Sequence, residues 1–461
     1  MNNEIAMREQ SIGRLLWKFS LPAIVGMLVG TLYNIVDRIF VGRGVGTEAI
    51  AATTVAFPIM LFLSAVSVLI SIGATALISI KLGEKNKPEA ERIAGNATTL
   101  LVLIPAVLTI FYLLLEEPIL KFFGASAAVM PLAKDFTTII MLGSVFGSIG
   151  FGMNNFIRAE GNPHFAMYTQ IIGAVINGVL NYIFIFPLHM GIKGSALATV
   201  LGQFISALWV LSYFYTRRSS VKIHWRNLRP KYDTFLRIAA VGFPPFTMQV
   251  VGCFQHLILN KALMKYGGDI ALSAVGIIMS ISMLIFMPVI GISQGAQPLI
   301  GYNYGAKLFG RVRETLKKAT FSATAIVFVG YIVMRLWPAQ LVGIFSNDVA
   351  LKHLASHALV TFFCMIPTMA FQVICSNYFQ AVGKPLESTL LGLSRQLLIF
   401  IPLLLVLPHF WGIEGVWRTP PIADVLSAIV TAIFIYIEMK KLPQDESIPC
   451  SIETVEDSAN D

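Results

Sequence analysis

Long apolar runs alternate with short polar connections along almost the whole chain. The runs fall near residues 15–41, 50–80, 94–115, 135–157, 166–187, 192–215, 238–264, 270–300, 319–345, 355–381, 389–410 and 412–438. A helix needs about 20 consecutive apolar residues to cross the hydrocarbon core of a bilayer. Each run therefore predicts one spanning helix, twelve in all, which places both ends of the chain on the same side. The expected fold class is an all-α integral membrane protein.

Charge orients the bundle. Basic residues cluster at Lys81–Arg92, Arg217–Arg237, Lys307–Lys318 and Lys440–Lys441, each beside long apolar runs. Short loops rich in Lys and Arg stay in the cytoplasm, so both termini are expected there, with the chain in the cell (inner) membrane. The net charge of +9 is then loop charge and predicts no nucleic-acid partner. Composition agrees: 56% of the residues are hydrophobic and only 13% charged, too little polar surface for a soluble protein. The first apolar run is too long for the core of a cleavable signal. Four cysteines, Cys253, Cys364, Cys375 and Cys450, form neither a CxxC pair nor a Cys/His cluster. Cys364 and Cys375 share one predicted helix about 16 Å apart, beyond disulfide reach.

The two halves of the sequence repeat with an offset of 222 residues. Ser20-Leu21-Pro22 meets Gly242-Phe243-Pro244, Gly83-Glu84-Lys85 meets Gly305-Ala306-Lys307, and Gly161-Asn162-Pro163 meets Gly383-Lys384-Pro385. With one residue deleted, Gly191-Ile192-Lys193-Gly194 meets Gly412-Ile413-Glu414-Gly415. Six helices per repeat keep both halves in the same orientation, which predicts a pseudo-two-fold axis along the membrane normal. The expected organisation is an amino-terminal six-helix lobe (1–215), a basic cytoplasmic linker (216–237), a carboxy-terminal six-helix lobe (238–440) and an acidic, disordered tail (441–461). Parallel repeats of this kind are typical of transporters, and the linker is expected to let the lobes move.

Three motifs carry a resemblance. They are Leu32-Tyr33-Asn34-Ile35-Val36-Asp37, Arg158-Ala159-Glu160-Gly161-Asn162-Pro163, and the run from Gln294 to Ala306 (QGAQPLIGYNYGA). Together they are similar to the multidrug and toxic compound extrusion (MATE) antiporters, in the MepA/DinF-like bacterial branch, over residues 12–440. The resemblance implies a V-shaped pair of six-helix bundles. It also implies export of organic, often cationic, small molecules in exchange for Na⁺ or H⁺, with no other cofactor and a monomeric chain. In the resembled family the positions of Tyr33, Asp37, Asn177, Asn181 and Thr199 build a cation site, and Na⁺ at Asp37, Asn177, Asn181 and Thr199 is the metal it implies. Asn181 departs from the family pattern, which commonly has Asp there.

The residues themselves support part of this. A carboxylate within a span costs about 2.5–3.5 kcal/mol on insertion scales, so Asp37 reads as functional unless it pairs locally with Arg38 or Arg43. Tyr33 stands one turn away on the same face. Asn177 and Asn181 form another i, i+4 pair, whose amide oxygens suit a hard cation or, alternatively, bonds across helices. The repeat equivalents of Tyr33, Asn34 and Asp37 are Gln255, His256 and Leu259, so the second lobe has no copy of the carboxylate. Asp424 follows Pro420-Pro421, a pair expected to break the last helix. It is either a second acidic site or an ion-pair partner of Arg395. Met279, Met283 and Met287 recur every four residues and read as either a cargo-binding wall or ordinary packing.

No GxSxG, HExxH or Walker-type GxxxxGK[ST] motif occurs, so an enzyme is not expected and the driving energy would come from an ion gradient. Two other functions remain in view. A flippase for a lipid-linked sugar would need a wide basic cavity, and an intramembrane enzyme would need convergent catalytic groups within the spans.

Overall fold

The computed structural model describes residues 10–443 except 46, 124, 126, 128, 217, 218 and 346–348. Cys450 and the expected acidic tail beyond 443 lie outside the described residues. So does the side chain of Arg38, weighed above as a local partner of Asp37.

Twelve spans follow in chain order: α1 (Ile12–Gly44), α2 (Thr47–Gly83), α3 (Lys87–Leu114), α4 (Met130–Ala159), α5 (Pro163–Ile185) and α6 (Gly191–Tyr215). The second half comprises α7 (Tyr232–Gly268), α8 (Ser273–Gly305), α9 (Phe309–Leu336), α10 (Val349–Phe362 and Ile366–Ala381), α11 (Pro385–Trp411) and α12 (Ile413–Lys441). The apolar surface faces outward along them. On α3, for example, Leu103, Val107, Ile110 and Leu114 are each at least half exposed, a helical stripe suited to lipid. A chain with this many apolar helices is a multi-pass membrane protein.

Local chemistry sets the boundaries. Asn86 and Asn162 cap α3 and α5 by accepting from the amides of Glu89 and Phe165, and a proline follows each cap. The chain turns before them through left-handed residues, and these recur at the repeat offset. Lys85 and Lys307 have φ of 59° and 58°, and Gly161 and Gly383 have φ of 87° and 77°. The repeat is thus present in the backbone itself.

Four expectations need correction. The tenth run is a broken span, bent by 50°, with Cys364 in the break rather than on one helix with Cys375. Pro367 is the cause: its ring excludes the carbonyl four residues back, so a new helix begins at Ile366. The ninth span ends at Leu336, and a separate short helix, Pro338–Gly343, follows. A further short helix, Glu116–Phe122, lies between α3 and α4. Finally, α12 continues through Pro420-Pro421 without a break. The Thr419 hydroxyl donates to the Gly415 carbonyl at 2.8 Å, and the buried Trp417 packs in the core of the second half, so the helix that the two prolines weaken is embedded in tertiary packing.

The halves meet backbone to backbone. A Cβ on Gly83 would lie 2.0 Å from the Tyr302 carbonyl oxygen, and one on Gly305 would lie 2.0 Å from that of Ile80. Residues 80 and 302 are repeat equivalents, as are 83 and 305, so the contact is reciprocal. The same holds for Gly73, where a Cβ would lie 2.9 Å from the Gly242 amide nitrogen, and its equivalent Gly295, where one would lie 2.8 Å from that of Ser20, the equivalent of Gly242. Gly73 also meets Ile238, and Gly242 against Leu69 and Gly291 against Ile24 are further close approaches. This reciprocity is the signature of a pseudo-two-fold axis through the seam, and all six contacts fall near the basic loops.

The inter-lobe linker is pinned to the first half. The 3₁₀ turn Trp225–Leu228 lies along α3, where Asn96 donates to the Asn227 carbonyl at 2.9 Å and Thr99 to that of Leu228 at 2.7 Å. Its beginning is held by Glu160, buried in the connection between α4 and α5. Glu160 accepts from Ser219 Oγ at 2.8 Å, the Ser220 amide at 2.9 Å and Tyr213 Oη at 3.1 Å. Burial pushes its carboxyl up to about 7.

Two predictions arise here. Gly83→Val and Gly305→Val should be equally harmful, each forcing the seam apart at a cost of about 1–3 kcal/mol, read as matching falls in melting temperature. Clearly unequal falls would contradict the two-fold reciprocity. Glu160 binds its proton more tightly folded than unfolded, so stability should be highest below about pH 4.5 and decline as pH rises toward about 7. The shift is worth about 3 kcal/mol, and thermal melts of Glu160→Gln should lose that dependence.

Candidate functional site

Three helices of the first half each present an i, i+4 polar pair to one another: Tyr33 and Asp37 on α1, Asn177 and Asn181 on α5, Ser195 and Thr199 on α6. The structure brings all five sequence-selected residues together and adds Ser195. Asn181 Nδ2 and Ser195 Oγ both donate to Asp37 Oδ1, the latter at 3.0 Å. One turn away, Asn177 Nδ2 donates to Thr199 Oγ1 at 3.2 Å, and the Tyr33 hydroxyl lies 3.5 Å from the same oxygen. The sequence carried a trace of Ser195, which stands one helical turn before Thr199.

Both amides spend their donors within this network. Asn177 Oδ1 and Asn181 Oδ1 are left buried without a hydrogen-bond partner. Buried carbonyl oxygens without partners are costly, and here two flank a carboxylate and three hydroxyls. That donor set is all oxygen, hard and once negative, so it fits a small cation such as Na⁺. Among the described residues no group of three or more His, Cys, Asp or Glu forms a transition-metal site.

A cavity of about 460 Å³ begins beside this cluster. Tyr33, Asn177 and Thr199 close one end, and Gln170 and Gln294 line the other. Its walls come from α1, α4, α5 and α6, completed across the seam by Met283, Met287 and Gln294 of α8. The methionine stripe is therefore divided. Met283 and Met287 face the cavity with Met27, whereas Met279 packs on the core of the second half. Among the described residues no lysine or arginine lines the cavity.

The second half does not reproduce the cluster. The equivalents of Asp37, Asn177, Asn181 and Ser195 are Leu259, Ile399, Leu403 and Val416, all within or packed on its hydrophobic core. His256 is exposed. Asp424, almost fully buried, is ion-paired with Arg395 at 2.8 Å. Arg395 sits in a π-helical turn of α11, Ser394–Phe400. The equivalents of this pair, Gly173 and Gln203, are walls of the cavity in the first half. An ion pair thus stands where the first half is open.

Comparison with known proteins fits this architecture. The MatE family model matches residues 22–183 and again residues 244–406, one match per half at the repeat offset. The chain is similar to the multidrug export protein MepA of Staphylococcus aureus (strain N315), 25% identical over 429 residues, 93% of this chain and 94% of that protein. Its similarity to MepA of Staphylococcus haemolyticus (strain JCSC1435) is 26% over 445 residues, 96% and 98% of the two chains. Among solved structures, it shares its fold with an outward-facing multidrug resistance MATE transporter of the MOP superfamily, at a TM-score of 0.89 and 24% identity, covering 95% of this chain and 98% of that one. A MATE crystal structure in a bent conformation gives 0.90 at 24% identity, covering 96% and 98%. With the family model matched once in each half, the chain belongs to the MatE family of multidrug and toxic compound extrusion transporters.

Proposed function

We propose that the protein is a cation-coupled antiporter that exports organic, often cationic, compounds from the cytoplasm by alternating access. The observation that carries this reading is the Asp37 cluster, a single carboxylate with two orphaned amide oxygens at the end of a drug-sized cavity. Cavities of about 300–1,000 Å³ suit such cargo, and two methionines give this one an adaptable wall. Relatives named as multidrug export proteins support the cargo class.

The basic loops orient the seam toward the cytoplasm, with both termini on that side of the cell membrane. The described conformation is then closed to the cytoplasm. A cation entering from outside meets Asp37, neutralises it and takes the two free carbonyls as ligands. A cationic cargo competes for the same negative charge, so ion and cargo exchange rather than share the site. Amide oxygens coordinate Na⁺ but carry no proton, which favours Na⁺ over H⁺ as the coupling ion. The chain acts as a monomer with no cofactor. A lipid-linked sugar is disfavoured by the absence of basic residues from the cavity wall.

The deciding experiment is dye or drug uptake into everted vesicles with Na⁺ and H⁺ gradients imposed separately. Uptake should follow the Na⁺ gradient, and uptake indifferent to both gradients would refute coupling. Asp37→Asn should reduce coupled uptake at least about tenfold with little change in expression, since it removes charge but hardly any volume. Asn181→Asp brings a second carboxylate against the first. The two repel and would share one cation, so the Na⁺ and pH dependence of transport should change together. PH and Na⁺ profiles identical to those of the parent would show that the two positions act separately.

A further inference from the structure

Arg158 opens the second sequence motif, and the cation site does not use it. It closes the last turn of α4, is only 4% exposed, and has no carboxylate within 4 Å among the described residues. Its partners are neutral. Nη1 donates to Gln294 Oε1 of α8, across the seam, and reaches Asn155 Oδ1 at 3.5 Å. Nη2 donates to Gln170 Oε1 at 3.0 Å, and Gln170 Nε2 donates onward to the Gly26 carbonyl of α1 at 2.8 Å. One guanidinium thus ties three helices of the first half to one of the second. Gly26 permits this: a Cβ there would lie 2.2 Å from the Gln170 amide.

The pair breaks the two-fold symmetry of the seam. The repeat equivalent of Arg158 is Gln380, whose amide donates to the Val241 carbonyl at 3.2 Å, within its own half. The rest of the seam is polar but poorly satisfied. Ser20 Oγ, Ser79 Oγ and Gln297 Nε2 are buried there without partners. Orphaned polar atoms raise the free energy of a closed interface and are relieved when water enters. Glycine packing therefore brings the halves together over groups that favour opening. Bonds from charged groups oppose that tendency: Arg237 to Glu89 at 3.2 Å and Arg311 to the Gln10 carbonyl at 2.7 Å join the halves at their basic-loop ends, and Arg158 to Gln294 joins them beside the cavity. A hydrogen bond to a charged group is among the stronger of such bonds.

We propose that the Arg158–Gln294 bond is the latch that holds the cytoplasmic seam shut, with Gln170 transmitting its state to α1. This rests on the alternating-access reading. Arg158 and Gln294 are positioning residues: they set the balance between the two arrangements of the lobes, and the coupling ion is bound elsewhere. Because Gln294 also lines the cavity floor, breaking the latch and opening the floor are one event.

The test uses the full chain in lipid nanodiscs, with the four native cysteines replaced and spin labels at positions 87 and 317 on the basic-loop ends of the two halves. A second label pair at 188 and 411 reports the opposite ends. Gln294→Leu removes the acceptor and should raise the ratio of seam-open to seam-closed molecules about tenfold. Gln294→Glu converts the bond to an ion pair, so the seam-open fraction should fall and export should slow. Arg158→Gln should behave as Gln294→Leu where it folds, but the proposal does not depend on that variant. If the label pairs alternate in the parent while both Gln294 variants match it within twofold, the latch is overturned and alternating access stands. If neither label pair changes with pH or with Na⁺ concentration, both are overturned.

Discussion

The structure depends on how closely two helical halves approach at one end. Six backbone contacts, with glycine on one side of each, bring α1 and α2 against α7 and α8 at distances no side chain would permit. In lipid there is little hydrophobic drive to press helices together, so close packing of small residues supplies much of the attraction. The reciprocity of Gly83–Tyr302 and Gly305–Ile80 fixes the symmetry axis. The cavity starts where these contacts stop, between α1 of one half and α8 of the other.

On this symmetric frame the chemistry is one-sided. In the first half, three i, i+4 pairs place a carboxylate, two orphaned carbonyls and three hydroxyls together. In the second half the matching positions carry Leu259, Ile399, Leu403 and Val416, and the space beside them holds the Arg395–Asp424 pair. A buried ion pair is neutral overall and costly to break, so it stiffens its half. One half thereby carries a carboxylate among neutral oxygen donors, and the other a carboxylate already paired with a guanidinium.

Much of this was legible in the sequence, for identifiable reasons. Spans are long, uniform and apolar, and a lipid environment forces helix on each of them. The repeat was readable because its landmarks are glycines and prolines, which mark backbone conformation directly. Asp37 stood out because charge within a span is rare. The break in α10 and the continuity of α12 were misjudged for one reason: what a proline does to a helix depends on its neighbours. Pro367 starts a new segment, while Pro420-Pro421 sit beside the buried Trp417, whose packing keeps the helix in place. Ser195 was passed over because its one trace, a place one turn before Thr199, is a weak signal until its partner is known. The seam contacts, and Arg158 across them, pair residues more than a hundred positions apart, and only the fold reveals such pairs.

The cation cluster and the seam lie at opposite ends of the cavity, so any coupling between them needs an element that reaches both. Helix α1 does. Ser20 and Ile24 pack in the seam, Gly26 accepts from Gln170, and Tyr33 and Asp37 belong to the cluster. Ser20 and Asp37 are about 26 Å apart along the helix. Spatial continuity alone is not coupling; the element must have two arrangements that both ends bias differently. The physical basis for two arrangements is present at each end. At one end two buried amide carbonyls lack partners, and at the other seam hydroxyls do. A cation at the first or water at the second would be a favourable change, and a rigid α1 linking them would make the one constrain the other. Pro22, next to the seam, removes one rung of the ladder along this connecting helix.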